Sequence, residues 1–169
     1  MMTTQNIRMG RLVTTIAGVD VLEHDDGSVS WVAGMMIDGD GEPTNMGKDP
    51  DWQYDTTLHK DGQPIDSNTV PYIVVPPAVI QGVKGIVLGC QADAHHIETG
   101  KGTSAVVADV GPHKKIGEAS MECARRVGVN SSPTRGGTDN KFIQYTIWPG
   151  KPAQVDGISY DLKSGTNIK

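Results

Sequence analysis

The sequence predicts a mainly β fold organised as a single domain over residues 1–169. Glycine (21 residues) and proline (10 residues) are abundant, and both favour turns over long helices. Short apolar segments with strand-like alternation recur along the chain, whereas helical periodicity is clear in one segment only. Hydrophobic residues make up 37% and charged residues 21% of the chain, proportions that are typical of a globular protein and not of a disordered one.

The N-terminal region is predicted to contain a β-hairpin. Residues 12–22 alternate imperfectly between apolar and polar side chains, which indicates one or two strands. The turn at 24–27, His-Asp-Asp-Gly, leads into an apolar segment at 29–37, so a hairpin is expected there. Residues 38–64 are polar and rich in Gly, Asp and Pro. A loop of that length inside a domain is usually functional.

Five more strands are predicted after the loop. The segment 70–80 is strongly β-like, and Pro76 and Pro77 mark its end or an edge position. The segments 85–94 and 104–110 flank a turn. Two shorter strands are expected near the C-terminus, at 142–148 and 158–162.

One helix is predicted, at about 116–127. Arg125 and Arg126 lie in its last turn and Gly128 follows it, an arrangement that is typical of a helix C-terminus. Five residues share the face that would pack on the core. They are Ile116, Ala119, Cys123, Ala124 and Val127.

Asp109 and Glu118 are the residues that point most directly to chemistry. Asp109 ends an apolar strand, a Gly-Pro turn follows, and Glu118 lies where the helical pattern begins. Glycoside hydrolysis requires two such carboxyl groups, one to protonate the leaving oxygen and one to activate water or attack the sugar. Solvated surface charges are the alternative, because carboxylates are common at strand ends and in first helical turns.

The surroundings of these two acids resemble a known family. Asp109 followed by Gly-Glu-Ala-Ser at 117–120 resembles the signature of glycoside hydrolase family 75, the fungal-type endo-chitosanases. The resemblance extends over about residues 35–128. Three further segments agree with the family in order: Met-Ile-Asp-Gly-Asp-Gly at 36–41, Asp49-Pro50 with Thr56-Thr57, and Pro-Tyr-Ile-Val-Val at 71–75.

The resemblance implies a fold, an activity and two catalytic residues. The fold is a six-stranded double-psi β-barrel with one short helix and long loops. The activity is endo-acting cleavage of β-1,4 bonds in an amino-sugar polymer by an inverting two-carboxylate mechanism, in which Asp109 is the base and Glu118 the acid. Local physics suggests the opposite roles, since burial would raise the pKa of Asp109 and a helix dipole would keep Glu118 ionised.

Five more residues are candidates for substrate binding. Asp38 and Asp40 project to the same side of an extended chain and could bind glucosamine ammonium groups or a hard cation such as calcium, although a plain turn is the alternative. Trp52 and Tyr54 could stack on sugar rings or pin the loop to the core. Ser120 is expected to support the neighbouring carboxylate. Neither a metal nor a cofactor is expected, since no zinc-ligand spacing is present.

The net charge of −5 has the wrong sign for nucleic-acid binding and the right sign for a polycation such as chitosan. It is also an ordinary charge for solubility. Lys114 and Lys115 lie between the two acids. Either they point to solvent, which is the commoner case, or they repel glucosamine and indicate a less cationic polymer such as peptidoglycan. The expected partner is therefore a polysaccharide, chitosan or peptidoglycan-like.

The alternative function is a non-catalytic or peptidoglycan-directed structural or binding module of a phage virion or secretion apparatus, on the same barrel and assembled into a larger particle. The chain shows no signal-peptide segment and no membrane-spanning segment, so extracellular action would require another route of export. Cys90 and Cys123 resemble buried small hydrophobic residues, and a bridge between them stays open.

Overall fold

A computed structural model describes residues 10–40 and 55–163. Within these residues the fold is mainly β, as predicted, with two short helices. The strands are β1 (Arg11–Ile16), β2 (Val19–Glu23), β3 (Val29–Asp38), β4 (His59–Lys60), β5 (Gln63–Pro64), β6 (Tyr72–Val75), β7 (Cys90–His96), β8 (Gly102–Val110), β9 (Glu118–Ser120), β10 (Thr138–Pro152), β11 (Gln154–Val155) and β12 (Ile158–Ser159), and the helices are α1 (Pro77–Gly82) and α2 (Met121–Arg126).

Six strands close into a barrel. Their order is β3-β10-β7-β8-β6-β9, and the ring closes because β9 also pairs with β3. The β3–β9 and β6–β8 pairs are parallel, and the other four pairs are antiparallel. The strands β1 and β2 extend the sheet beyond β3. The β2–β3 hairpin is the one that the sequence predicts, and β1 pairs with β2 in a second hairpin.

Alternate side chains fill the barrel interior. On β3, Trp31 and Met35 are each 2% exposed, and Trp31 stacks on Tyr145 of β10 with ring centroids 5.6 Å apart. The Tyr145 hydroxyl donates to the Gly34 carbonyl at 2.6 Å. This spacing of every second residue explains the alternation in the sequence, because successive side chains of a strand point to opposite faces.

The strand β8 carries a β-bulge near its end. Ile73 of β6 pairs with Val107 and Val74 pairs with Asp109, so Ala108 is an extra residue on β8. The Ala108 carbonyl accepts instead from the Leu58 amide at 2.9 Å. The bulge therefore sets the direction of Asp109 and attaches the segment around Leu58 to the barrel rim.

The predicted helix at 116–127 is too long. Helical structure begins at Met121, and Glu118–Ser120 forms β9. These three residues pair with β3 on one side and with β6 on the other, and Gly117 precedes them with a φ of 97°. Backbone pairing on both sides overrides the helical periodicity of the segment.

The predicted strand at 70–80 is also too long. It ends at Val75, and α1 begins at Pro77. Proline suits the first helical position because its fixed φ is helical and its missing N–H would have no helical partner there. The predicted strand at 85–94 likewise begins only at Cys90.

Both cysteines, Cys90 and Cys123, are free and buried. Burial raises the pKa of the Cys123 thiol to about 12, so it is a small core group and not a reactive thiol. Within residues 10–40 and 55–163, no helix is long and apolar enough to span a bilayer.

Candidate functional site

Four acidic residues line one cavity at the rim of the barrel. Asp38, Asp40, Asp109 and Glu118 surround a space of about 480 Å³. They come from the end of β3, the loop that follows it, the end of β8 and the start of β9. The pair Asp38 and Asp40 is distant in sequence from the pair Asp109 and Glu118, and barrel closure brings the two pairs together.

Strand register places Asp109 and Glu118 on either side of β6. Val74 pairs with Asp109 of β8 and also with Glu118 of β9. Two interstrand spacings separate the acids, which corresponds to about 10 Å between their Cα atoms. The two carboxyl groups therefore border the same cavity from neighbouring strands and not from a strand and a helix.

Asp109 is 7% exposed and firmly held. Its Oδ1 accepts from the Thr57 amide at 3.0 Å, from the Thr57 hydroxyl at 2.6 Å and from the Val110 amide at 3.1 Å. Three donors on one oxygen restrict the orientation of the carboxyl group. The segment that contains Thr57 thus serves as a brace for Asp109.

Asp38 is the other buried acid, at 7% exposure. Burial, followed by the negative charges of Asp109 and Asp40, raises the pKa of Asp38 well above its ordinary value. Its Oδ1 accepts from the Asp40 amide at 2.8 Å, and its carboxyl group shares a hydrogen bond with Asp109. This environment therefore favours the protonated form of the Asp38 carboxyl group.

Tyr72 lies beneath this acid cluster. It is fully buried, and its hydroxyl donates to the Asp40 carbonyl at 3.1 Å. Burial, and then the charges of Asp38 and Asp109, raise the pKa of Tyr72. Tyr72 thus stays neutral and anchors the turn that carries Asp40.

Glu118 is half-buried in β9, and its position depends on a glycine. A Cβ atom added at Gly111 would lie 2.9 Å from the Glu118 Oε1 and 3.0 Å from the Val74 Cγ1. The absence of a side chain at 111 thus makes room for the Glu118 carboxyl group. Because Glu118 lies in a strand, the argument that a helix dipole keeps it ionised is wrong.

Ser120 has a structural position. It is fully buried, and its hydroxyl donates to the Val70 carbonyl at 2.7 Å. The same oxygen accepts from the amides of Tyr72, at 3.0 Å, and Cys123, at 3.1 Å. Ser120 caps α2 and joins it to β6, so it serves the fold and does not line the cavity.

The aromatic candidates Trp52 and Tyr54 lie outside the described residues, and their role in stacking on sugars stays a prediction.

The sequence indicated no role for Thr57 or Gly111. Thr57 donates to Asp109, which lies 52 residues further along the chain. Gly111 makes room for Glu118, which lies at the other end of the connection between β8 and β9. Thr57 belongs to a segment that resembles the family, which was the one available indication.

The acid cluster could hold a proton or a hard cation. Ligand oxygens of Asp38, Asp40 and Asp109 lie within 4.8 Å of one another, and carboxylates are the ligands that calcium and magnesium prefer. A proton and a cation exclude each other at this cluster, because a bound cation would require the carboxyl groups to be ionised.

Lys115 also lines the acidic cavity, and both Lys115 and its neighbour Lys114 are exposed. A cationic residue therefore lies on the solvent side of the cavity, beside its acidic residues.

Neither protein-family models nor curated proteins show a match to this chain.

Proposed function

We propose that the protein is an endo-acting polysaccharide hydrolase that cleaves β-1,4 bonds of an amino-sugar polymer such as chitosan. The observation that carries this proposal is the pair formed by Asp109 and Glu118, which face one cavity from either side of Val74. A spacing of about 10 Å between Cα atoms is compatible with the ~6.5–9.5 Å between carboxyl groups that an inverting mechanism needs.

The resemblance to glycoside hydrolase family 75 supports the same function. The segments 36–41, 71–75 and 117–120 that resemble the family include or adjoin the residues that line the cavity. The double-psi type of barrel belongs to this proposal too. Its support is a closed ring of six strands with two parallel pairs, β3–β9 and β6–β8.

In the proposed mechanism, Glu118 protonates the leaving oxygen and Asp109 activates a water molecule on the opposite face of the sugar. Asp109 is suited to the base role because the Thr57 amide and hydroxyl hold it in one orientation. Asp38 keeps its proton, which leaves Asp109 as an acceptor. Asp40 lines the same cavity and is half-buried there.

A second candidate function rests on Lys115. Lys115 is an exposed cationic residue that lines the cavity, so it opposes a cationic substrate and suits a less cationic polymer such as peptidoglycan. In that case the chain would be a peptidoglycan-directed or non-catalytic module of a virion or secretion apparatus. The paired acids argue for catalysis, since a scaffold does not need them.

The test is release of reducing ends from chitosan, chitin and peptidoglycan, measured side by side. Glu118→Gln and Asp109→Asn should each lower the rate by roughly 10²–10⁴. Glu98→Gln and Asp25→Asn, at exposed positions, are the matched controls and should retain full activity. Thermal melting of every variant separates loss of chemistry from loss of folding.

Each outcome has one interpretation. Variants that melt normally and no longer cleave support the hydrolase. Cleavage of peptidoglycan alone would reassign the substrate to the second candidate. A wild-type protein that binds glycan but releases no reducing end from any of the three polymers would overturn the enzymatic proposal.

A further inference from the structure

A second cleft lies outside the barrel, away from the acidic cavity. It is bounded by the outer surface of β7 and β8, the end of β10 and the β11–β12 hairpin, and its volume is about 590 Å³. None of the residues that line it also lines the acidic cavity. The cleft is therefore a separate site that the proposed chemistry does not use.

Strand register explains why polar side chains collect there. Asp93 of β7 pairs with Thr146 of β10 and with Ser104 of β8, so the three form one row across the sheet. Ala92 and Ala94, on the opposite face of β7, are at most 1% exposed. Since side chains alternate along a strand, Asp93 and its neighbours point away from the core and into the cleft.

The floor of the cleft is rigid. Gln91 is 9% exposed, and its amide nitrogen donates to the Ala92 carbonyl at 3.0 Å and to the Ala105 carbonyl at 3.4 Å. Its amide oxygen accepts from the Gln154 backbone at 2.9 Å. Gln91 thereby joins the hairpin to the barrel wall, and the cleft between them has a fixed width.

Asp93 has acceptor capacity that the described part of the chain does not use. It is half-buried and accepts a hydrogen bond from the Thr146 side chain. Across residues 10–40 and 55–163 it has no ion pair within 4.0 Å. Burial raises the pKa of Asp93, and the charge of His95 opposes that shift. A carboxylate that is partly desolvated and has one donor gains from a cationic or hydroxyl-rich ligand.

Trp148 provides an aromatic surface in the same cleft. Its ring is half-exposed, and the ammonium group of Lys151 lies 5.8 Å from the ring centroid. Lys151 is itself exposed. The ring thus already attracts a cation, as indole rings do, and that cation is an exposed side chain that a ligand from solvent can displace.

We propose that this cleft binds a glucosamine unit, with the ring of Trp148 as its stacking surface and Asp93 as the acceptor for its ammonium group. Aromatic stacking and a carboxylate together recognise a sugar that carries a positive charge. The choice of an amino sugar rests on the proposed function, whereas the location of the cleft does not. Such a site would hold the polymer on the enzyme between successive cuts.

The Lys151 ammonium group occupies the place that the sugar would take over the ring. Its removal should strengthen binding, because it both competes for the ring and repels the ligand. We therefore expect tighter binding in Lys151→Gln and weaker binding in Asp93→Asn.

The experiment is an NMR titration of the full chain in the Glu118→Gln form, which prevents cleavage. The chain has three tryptophans, and the Trp148 indole resonance is assigned by its loss in Trp148→Phe. The probes are the glucosamine tetramer and, as a neutral control of the same linkage, the glucose tetramer. We expect the glucosamine tetramer to shift the Trp148 resonance and the neutral tetramer to shift it far less.

Two variants test the contacts in the cleft, and a third is the control. Asp93→Asn should weaken binding at this cleft about tenfold and remove the preference for the charged sugar. Lys151→Gln should strengthen binding severalfold, and Asp25→Asn, an exposed carboxyl group elsewhere, should change nothing.

No shift at Trp148, or an equal response to both tetramers, would overturn the proposal, and so would weaker binding in Lys151→Gln. These outcomes are independent of cleavage. A wild-type protein that cuts no polymer but passes this titration would lose the hydrolase assignment and keep the glucosamine cleft.

Discussion

At the scale of single residues, Asp38 has an environment that favours a proton over a charge. Its carboxyl group is buried, lies against Asp109 and accepts a hydrogen bond from the Asp40 amide. Two carboxyl groups in contact cannot both ionise without a large electrostatic cost. Asp38 therefore makes the free energy of unfolding depend on pH in the direction opposite to that of an aspartate whose pKa falls on folding.

Folding raises the pKa of Asp38, and the direction of this change determines how Asp38 affects stability at each pH. Its pKa is higher in the folded protein than in the unfolded chain, so folding takes up a proton, and the free energy of unfolding falls as pH rises above about 4. Asp38→Asn mimics the protonated form and removes this slope. Urea unfolding at pH 5 to 9 should show the variant gaining stability over wild type by at most about 1.4 kcal/mol per pH unit.

Asp25→Asn is the control for that series, because the Asp25 carboxyl group is exposed. It should run parallel to wild type at every pH. A variant at Asp38 that also runs parallel to wild type would show that the buried carboxyl group is ionised in the folded protein.

In the proposed hydrolase, Thr57 acts on catalysis through Asp109. Thr57→Val keeps the backbone donor and the side-chain volume but removes the hydroxyl that donates to Asp109 at 2.6 Å. We expect kcat on the cleaved polymer to fall by about tenfold, the effect of losing one hydrogen bond of ~1–1.5 kcal/mol, with KM little changed.

Thr15→Val is the matched control for Thr57, since the Thr15 hydroxyl also donates to an aspartate, Asp20, at 2.8 Å but at the surface. Both variants should melt near the wild-type temperature. Equal kcat values for the two variants would remove Thr57 from the catalytic arrangement.

At the scale of structural elements, the end of β8 and the start of β9 determine where the two acids point. The bulge at Ala108 directs Asp109, and Gly111 in the connection leaves space for Glu118. Bulges are frequent at barrel rims and near active sites because they change the direction of a side chain.

Gly111→Ala tests that connection. The new Cβ atom would contact the Glu118 Oε1 and the Val74 Cγ1, so the Glu118 carboxyl group must move. Activity should fall by an order of magnitude or more, since a misplacement of about 1 Å can cost ~10² in rate. Gly82→Ala meets a side-chain atom of Val13 at 2.7 Å away from the acids, and it should retain activity.

The segment that was predicted as one helix shows what local patterns can and cannot determine. The predicted buried face is indeed buried, from Ile116 at 8% exposure to Val127 at 0%. Its first part is nevertheless a strand, because Glu118–Ser120 pairs with β3 and β6. Those partners lie some 45 to 80 residues away in sequence, and no window of local sequence contains them.

At the scale of the whole molecule, the barrel holds both thiols inside. Cys90 and Cys123 are fully buried and unpaired. We expect neither to react with a thiol reagent such as Ellman's reagent in native buffer and both to react in denaturant. Reductant should not change the melting temperature. Fast reaction in native buffer would contradict the packing of the core.

Several properties follow from the sequence without its tertiary structure. Alternation of apolar residues determined a mainly β fold with its β2–β3 hairpin, because the side-chain period of a strand is local. The motif around Asp109 and Glu118, with Asp38 and Asp40, indicated the residues that the barrel brings together. A local pattern carries this information since each segment must present its own apolar face to the core.

Only the tertiary structure decided the rest. Closure of β9 onto β3 placed four acids at one cavity, buried Asp38 beside Asp109 and raised its pKa. The brace from Thr57, the space at Gly111 and the outer cleft at Trp148 arise in the same way. Burial and hydrogen bonding depend on groups that are distant in sequence, so these features exist only once the chain has folded.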